Sequence, residues 1–144
     1  MASFHLYGDA AGQTHLAPLV LPVRQTSAGA VRGLNDIPTT TMGVGEFVGR
    51  KPDAGLHNAP RRQFLVVLRG ELEIVTSLGH QQRLRTGDLL LADDIGSKGH
   101  ISRDVGEEPL MLAAIGIGSD WKGPEATSTR VSRTGSAGQQ DEER

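Results

Sequence analysis

His57, Gln63 and His100 are the residues whose types and spacing suit chemistry best. Imidazole and carboxamide groups can converge on one small ion or molecule, and two imidazoles with a carboxylate form the facial set that holds non-haem iron and leaves positions open for substrate. In this chain the third donor is a neutral amide, so a divalent ion held by these three groups would lack a compensating charge, and burying such charge is costly. Two readings stay open on the residues alone. In one, an iron, manganese, nickel or zinc ion is bound, and an anion, a substrate carboxylate or one of Asp93, Asp94 and Asp104 completes its shell. In the other, His57 and His100 hydrogen-bond each other or Gln63 in a metal-free polar pocket. Cysteine is absent, which excludes thiolate metal sites, thiol nucleophiles and disulfides.

Arg61 and Asp93 are the candidate substrate-binding residues. In an extended segment alternate side chains share a face, so His57, Ala59, Arg61 and Gln63 have one parity, as do His100, Ser102 and Asp104. That parity brings Arg61 to the pocket mouth, where its planar fork suits a carboxylate or phosphate, and turns Arg62 away. Asp93 and Asp94 fall in a predicted loop at the rim near His100, as acid, base or extra ligand if desolvated, or as turn-capping residues. No residue is assigned a catalytic role. Gly96-Ser-Lys98-Gly99 lacks the spacing and the strand-to-helix setting of a phosphate loop, and no GxSxG elbow supports a serine nucleophile.

These residues need a scaffold, and the sequence supplies short β-like runs. Thr39–Val48, Gln63–Arg69, Glu71–Thr76, Gln81–Arg85, Asp88–Ala92, His100–Asp104 and Leu110–Ile117 are rich in aliphatic and β-branched side chains. Turn-forming residues separate them, among them Gly70, Ser77–Gly79, Thr86–Gly87 and Gly106–Pro109. Strands of this length and spacing predict an all-β sandwich or barrel over residues 39–117, closed so that no sheet edge is left. Residues 1–38 form an N-terminal arm with one predicted strand, His15–Arg24. Residues 118–144 are nearly devoid of apolar side chains and are expected to form a disordered polar tail.

The 144 residues fit one domain. Fifteen basic and seventeen acidic residues are well mixed, giving a net charge of −2, which argues against a nucleic-acid footprint or a polybasic membrane surface and for a small-molecule ligand. The apolar stretch Leu16–Val23 is broken by Pro18 and Pro22 and lacks a basic flank, so it does not read as a signal peptide. No window has the roughly 20 apolar residues of a membrane span. A cytoplasmic location is the expectation.

The segment from Gly55 to Gly70, GLHNAPRRQFLVVLRG, resembles the first motif of the cupins, with His57 on its first histidine, Ala59 on its second, Gln63 on its glutamate and Gly70 on its closing glycine. GDLLLADDIGSKGH, from Gly87 to His100, resembles the second motif, with His100 on its histidine. Together the strings look like a branch of small single-domain bacterial cupins of unassigned role. The resemblance implies a jelly-roll β-barrel, a metal or acid–base centre at His57, Gln63 and His100, and a homodimer, with the His15–Arg24 strand added to a partner's sheet. The loss of two usual ligands implies a second reading, a non-catalytic binding or sensor module with a metal-free site. Oxygenase, isomerase, lyase and cyclase chemistry are not separated by these residues.

Overall fold

The computed structural model describes residues 1–124. It is all-β. Eleven strands form among the described residues: β1 (Ser3–Gly8), β2 (Thr14–Pro18), β3 (Val23–Thr26), β4 (Gly29–Arg32), β5 (Thr39–Glu46), β6 (Gln63–Arg69), β7 (Leu72–Thr76), β8 (Gln81–Leu84), β9 (Leu89–Asp93), β10 (His100–Asp104) and β11 (Met111–Ile117). The tail expected over 118–144 lies, from residue 125 on, outside the described residues.

Two compact units emerge. The first comprises Met1–Leu19 and Thr39–Ile117, and the second comprises, among the described residues, Val20–Pro38 and 118–124. Within the second, β3 and β4 form an antiparallel hairpin with Val23 opposite Arg32 and Thr26 opposite Gly29. Residues 1–38 thus hold four strands rather than one. The predicted strand His15–Arg24 is split at Leu19–Pro22, because Pro18 and Pro22 cannot donate to a ladder.

The first unit contains two sheets. One has six strands in the order β2-β1-β9-β6-β11-β5, and the other has three in the order β10-β7-β8. Every pairing is antiparallel except β1 with β9. Their facing side chains form one apolar cluster: Leu6, Val67, Leu90 and Ala92 from the larger sheet, and Leu72, Ile74 and Leu84 from the smaller. Alternation explains the selection. In β7, Leu72 and Ile74 are fully buried while Glu73 between them is not. Each such aliphatic side chain contributes roughly 1.5–3 kcal/mol by leaving water.

Edges remain at β2 and β5 of the larger sheet and at β10 and β8 of the smaller, where a closed sheet is expected from sequence. All eight residues of β5 are exposed. No helix among the described residues is long and apolar enough to cross a membrane.

Candidate functional site

The polar groups gather at one end of the two sheets, where β6 and β10 begin and β9 ends. His57 lies outside the named strands but makes an isolated antiparallel bridge with His100. Each residue's N–H donates to the other's carbonyl at 2.9 Å. Directly paired residues project to the same side of a sheet, and the two imidazole centroids are accordingly 4.7 Å apart, tilted by 48°. His100 is 4% exposed, whereas His57 lies at the surface.

Both rings are tied down at Nδ1. His57 Nδ1 lies 2.9 Å from the carbonyl oxygen of Gly55. A carbonyl only accepts, so Nδ1 carries the hydrogen and Nε2 of the neutral ring is left as an acceptor. His100 Nδ1 lies 2.6 Å from Oδ2 of Asp94, a residue with no exposed surface. The other carboxylate oxygen, Oδ1, accepts the backbone N–H of Ala59 at 3.1 Å. Burial raises the pKa of Asp94, but the hydrogen bond and charge of His100 and the backbone N–H groups of Ala59 and Asp94 outweigh it. The net shift is below the usual carboxylate range.

Asp94 reaches this position because β9 ends one residue earlier. Its carbonyl accepts the Ser97 hydroxyl at 2.6 Å and the Asn58 side-chain amide at 2.8 Å, and that amide also bonds the Ser97 carbonyl at 2.9 Å. Asn58 thereby fastens the His57–Ala59 segment to the 94–97 turn. Nearby, Thr14 Oγ1 donates to the carbonyl of Gly99 at 2.8 Å and holds the residue before His100.

Gln63 projects from the larger sheet. Its directly opposed residue on β9 is Ala92, whose own partner on β1 is Leu6. Both lie in the core cluster, so the Gln63 side chain is directed to the interior. It is 8% exposed, and its carboxamide has no hydrogen-bond partner among the described residues.

The predicted parity from His57 to Gln63 is interrupted. Pro60, Arg61 and Arg62 form a bend, so His57 belongs beside the smaller sheet and Gln63 to the larger one.

Arg61 lies across Gly116, the cross-strand neighbour of Gln63: a Cβ on Gly116 would stand 3.2 Å from Arg61 Cδ. Its guanidinium donates to the Thr41 hydroxyl at 2.6 Å and has no carboxylate partner among the described residues.

Asp93 is not brought to the histidines. It is the last residue of β9, not a loop residue, and strand alternation turns it to the opposite face from Ala92. There it pairs with Arg62 Nε at 3.2 Å and His5 Nε2 at 3.3 Å.

As a metal centre the donor set falls short. The two imidazoles are oriented as ligating histidines are, with Nδ1 held by an oxygen. However, no group of three or more His, Asp and Glu side chains suited to a metal occurs among the described residues. Asp94 is engaged with His100 and Ala59, Asp93 with Arg62 and His5, and Asp104 with Arg50 and the Lys51 N–H. A divalent ion would meet only neutral donors, and the chain's own groups do not fit it. A cavity of about 550 Å³ lies at the other end of the strands, lined by Glu71, Arg83, Arg85 and Glu107 among others. Its charges are mixed, and it contains no histidine.

No family model and no curated protein matches the chain. Among solved structures, the crystal structure of protein NMB1881 from Neisseria meningitidis is similar over 61% of this chain and 88% of that one, at 15% identity and a TM-score of 0.41.

Proposed function

We propose that the chain is a cupin-type jelly-roll barrel that binds a small acidic or hydroxylated metabolite in the end pocket of His57, Gln63 and His100, without a resident metal ion. The strand order supports the fold. β5-β11-β6-β9 faces the His57 bridge, β10, β7 and β8, so four elements oppose four, and the chain crosses between layers after β5, the His57 bridge, β6, β8, β9 and β10. Eight elements in two layers is the jelly-roll arrangement. The site reading is carried by one observation: two imidazoles tied at Nδ1 stand 4.7 Å apart, at the same end of the sheets as an inward-directed carboxamide without a partner. The Gln63 amide atoms are not sealed from solvent, so a ligand entering at this end of the sheets can bond them.

The test is a thermal-shift screen of small carboxylates, polyols and hydroxy acids, with metal analysis of the dialysed and reconstituted protein. Stabilisation by a metabolite, reduced in both His100→Ala and Gln63→Ala, supports the reading. Stoichiometric iron, manganese, nickel or zinc lost in His57→Ala and His100→Ala overturns its metal-free part. The buried carboxylate behind His100 favours a catalytic variant of the same reading, in which His100 Nε2 takes a proton from the bound metabolite. Product formation on long incubation distinguishes catalysis from simple binding.

A further inference from the structure

The hydrogen-bond polarity of the pocket narrows the ligand class, granted that the pocket binds a metabolite as proposed. We infer that Asp94 is a positioning residue that fixes the His100 tautomer, and that the site selects a small hydroxy acid. The ligand hydroxyl donates to His100 Nε2, and its carboxylate is received by Arg61.

Ala59 sets the orientation of Asp94. Its backbone N–H is buried and requires an acceptor, which Asp94 Oδ1 supplies at 3.1 Å. That bond orients the carboxylate so that Oδ2 meets His100 Nδ1 at 2.6 Å. An ionised carboxylate accepts only, so Nδ1 keeps the hydrogen and Nε2 of the neutral ring presents a lone pair. Gly55 imposes the same state on His57 through its carbonyl at 2.9 Å. Neither Nε2 takes a hydrogen bond from a described residue. Two neighbouring acceptors call for a donor, and an alcohol supplies one where a ketone or an alkane does not. Gln63, which both donates and accepts, tolerates either. Arg61, with no carboxylate partner among the described residues, marks where the acid group lies.

Asp94→Asn tests the device directly. The Ala59 N–H would claim the amide oxygen of the new side chain, leaving its NH2 to face His100 Nδ1. The ring would then have to accept at Nδ1 and carry its hydrogen on Nε2. Long-range 15N–1H NMR reads both states. Wild type is expected to show protonated Nδ1 and bare Nε2 on His100 in the neutral ring, and Asp94→Asn the reverse. Calorimetric titration with L-lactate, propionate and pyruvate reads the consequence.

Wild type is expected to bind lactate at least about tenfold more tightly than propionate or pyruvate, the scale of an unmet buried hydrogen bond. Asp94→Asn is expected to shift the preference toward pyruvate. Arg61→Gln should weaken all three acids alike and leave the tautomer unchanged. The wild-type measurements stand without the variant if it does not fold. A His100 carrying its hydrogen on Nε2 in wild type overturns the inference, as does equal binding of lactate and propionate. If the tautomer is as stated and none of the acids or the wider metabolite screen binds, the metabolite-pocket reading itself has failed, and the ligand assignment falls with it.

Discussion

Gly99 and His57 touch through their backbones: a Cβ on Gly99 would stand 2.5 Å from both the carbonyl carbon and oxygen of His57. Gly99 also has a φ of +85°, a region that side chains disfavour. The His57–His100 bridge therefore depends on a residue that belongs to neither ring. Gly99→Ala must shift the backbone of the 55–58 segment or abandon the left-handed turn, and each such strain costs on the order of 1–3 kcal/mol. The variant is expected to lower the melting temperature and to separate the two imidazoles, which NMR would register as loss of the mutual ring-current shifts. Unchanged histidine spectra would refute the dependence.

Acid should weaken the fold through Asp94. Its carboxyl titrates lower in the folded chain than its ordinary value of 3.8, so the unfolded chain binds the proton first. The stabilisation is fully present above the unfolded value and is lost as pH falls through the folded one. Asp9, held by His15 and backbone N–H groups, and Asp53, held by the Gly55 N–H and Arg103, are shifted the same way. Comparison with Asp94→Asn isolates the buried group. The stability difference between wild type and variant is expected to shrink as pH drops below about 4, and denaturant unfolding at several pH values measures it. A difference independent of pH would show that the Asp94 carboxyl titrates alike in the folded and unfolded chains, and a difference that grows as pH drops would show that the fold holds it neutral.

The edge strand β5 predicts self-association. Long apolar edges invite pairing, and Met42 and Val44 project there at 69% and 54% exposure with no lysine or proline in the strand. Met42→Lys with Val44→Lys is expected to convert a dimer to a monomer in sedimentation velocity while leaving the melting transition cooperative. A wild-type monomer at high concentration would exclude the pairing.

Legibility from sequence followed the strength of local signals. β6 and β10 match their expected bounds to the residue because the aliphatic run Gln63-Phe-Leu-Val-Val-Leu-Arg69 stops at Gly70 and His100–Asp104 starts after Gly99. β1 lies outside the expected strands although Ser3-Phe-His-Leu-Tyr-Gly8 alternates polar and apolar residues; the run is short, and its parallel pairing with β9 is long-range. His57 and His100 were named from their positions, and the structure pairs them through a bridge no spacing rule encodes. The role of Asp94 was obscured by its neighbour. Only the exact end of β9 decides which of Asp93 and Asp94 turns inward, and strand ends are the least legible part of a sequence. Asn58, which pins the two loops together, carried no signal beyond being polar.

Gln63 offers the sharpest test of whether a neutral third donor disfavours an ion. Gln63→Glu is nearly isosteric and supplies the anionic oxygen that two imidazoles require in a facial set. Its new carboxylate would be buried in the same place, with an ionised Asp94 behind His100 already contributing one negative charge. Without an ion, a second buried charge is unfavourable, so the variant should be less stable than wild type when stripped of metal. With an ion the sign reverses, because two carboxylates then compensate a divalent charge. The expected outcome is a variant whose melting temperature falls below that of wild type in chelator and rises on addition of nickel or zinc, while wild type responds to neither. Response of wild type equal to that of the variant would show that the neutral amide suffices as a ligand. Response of neither would show that Gln63 lies out of reach of the two Nε2 atoms.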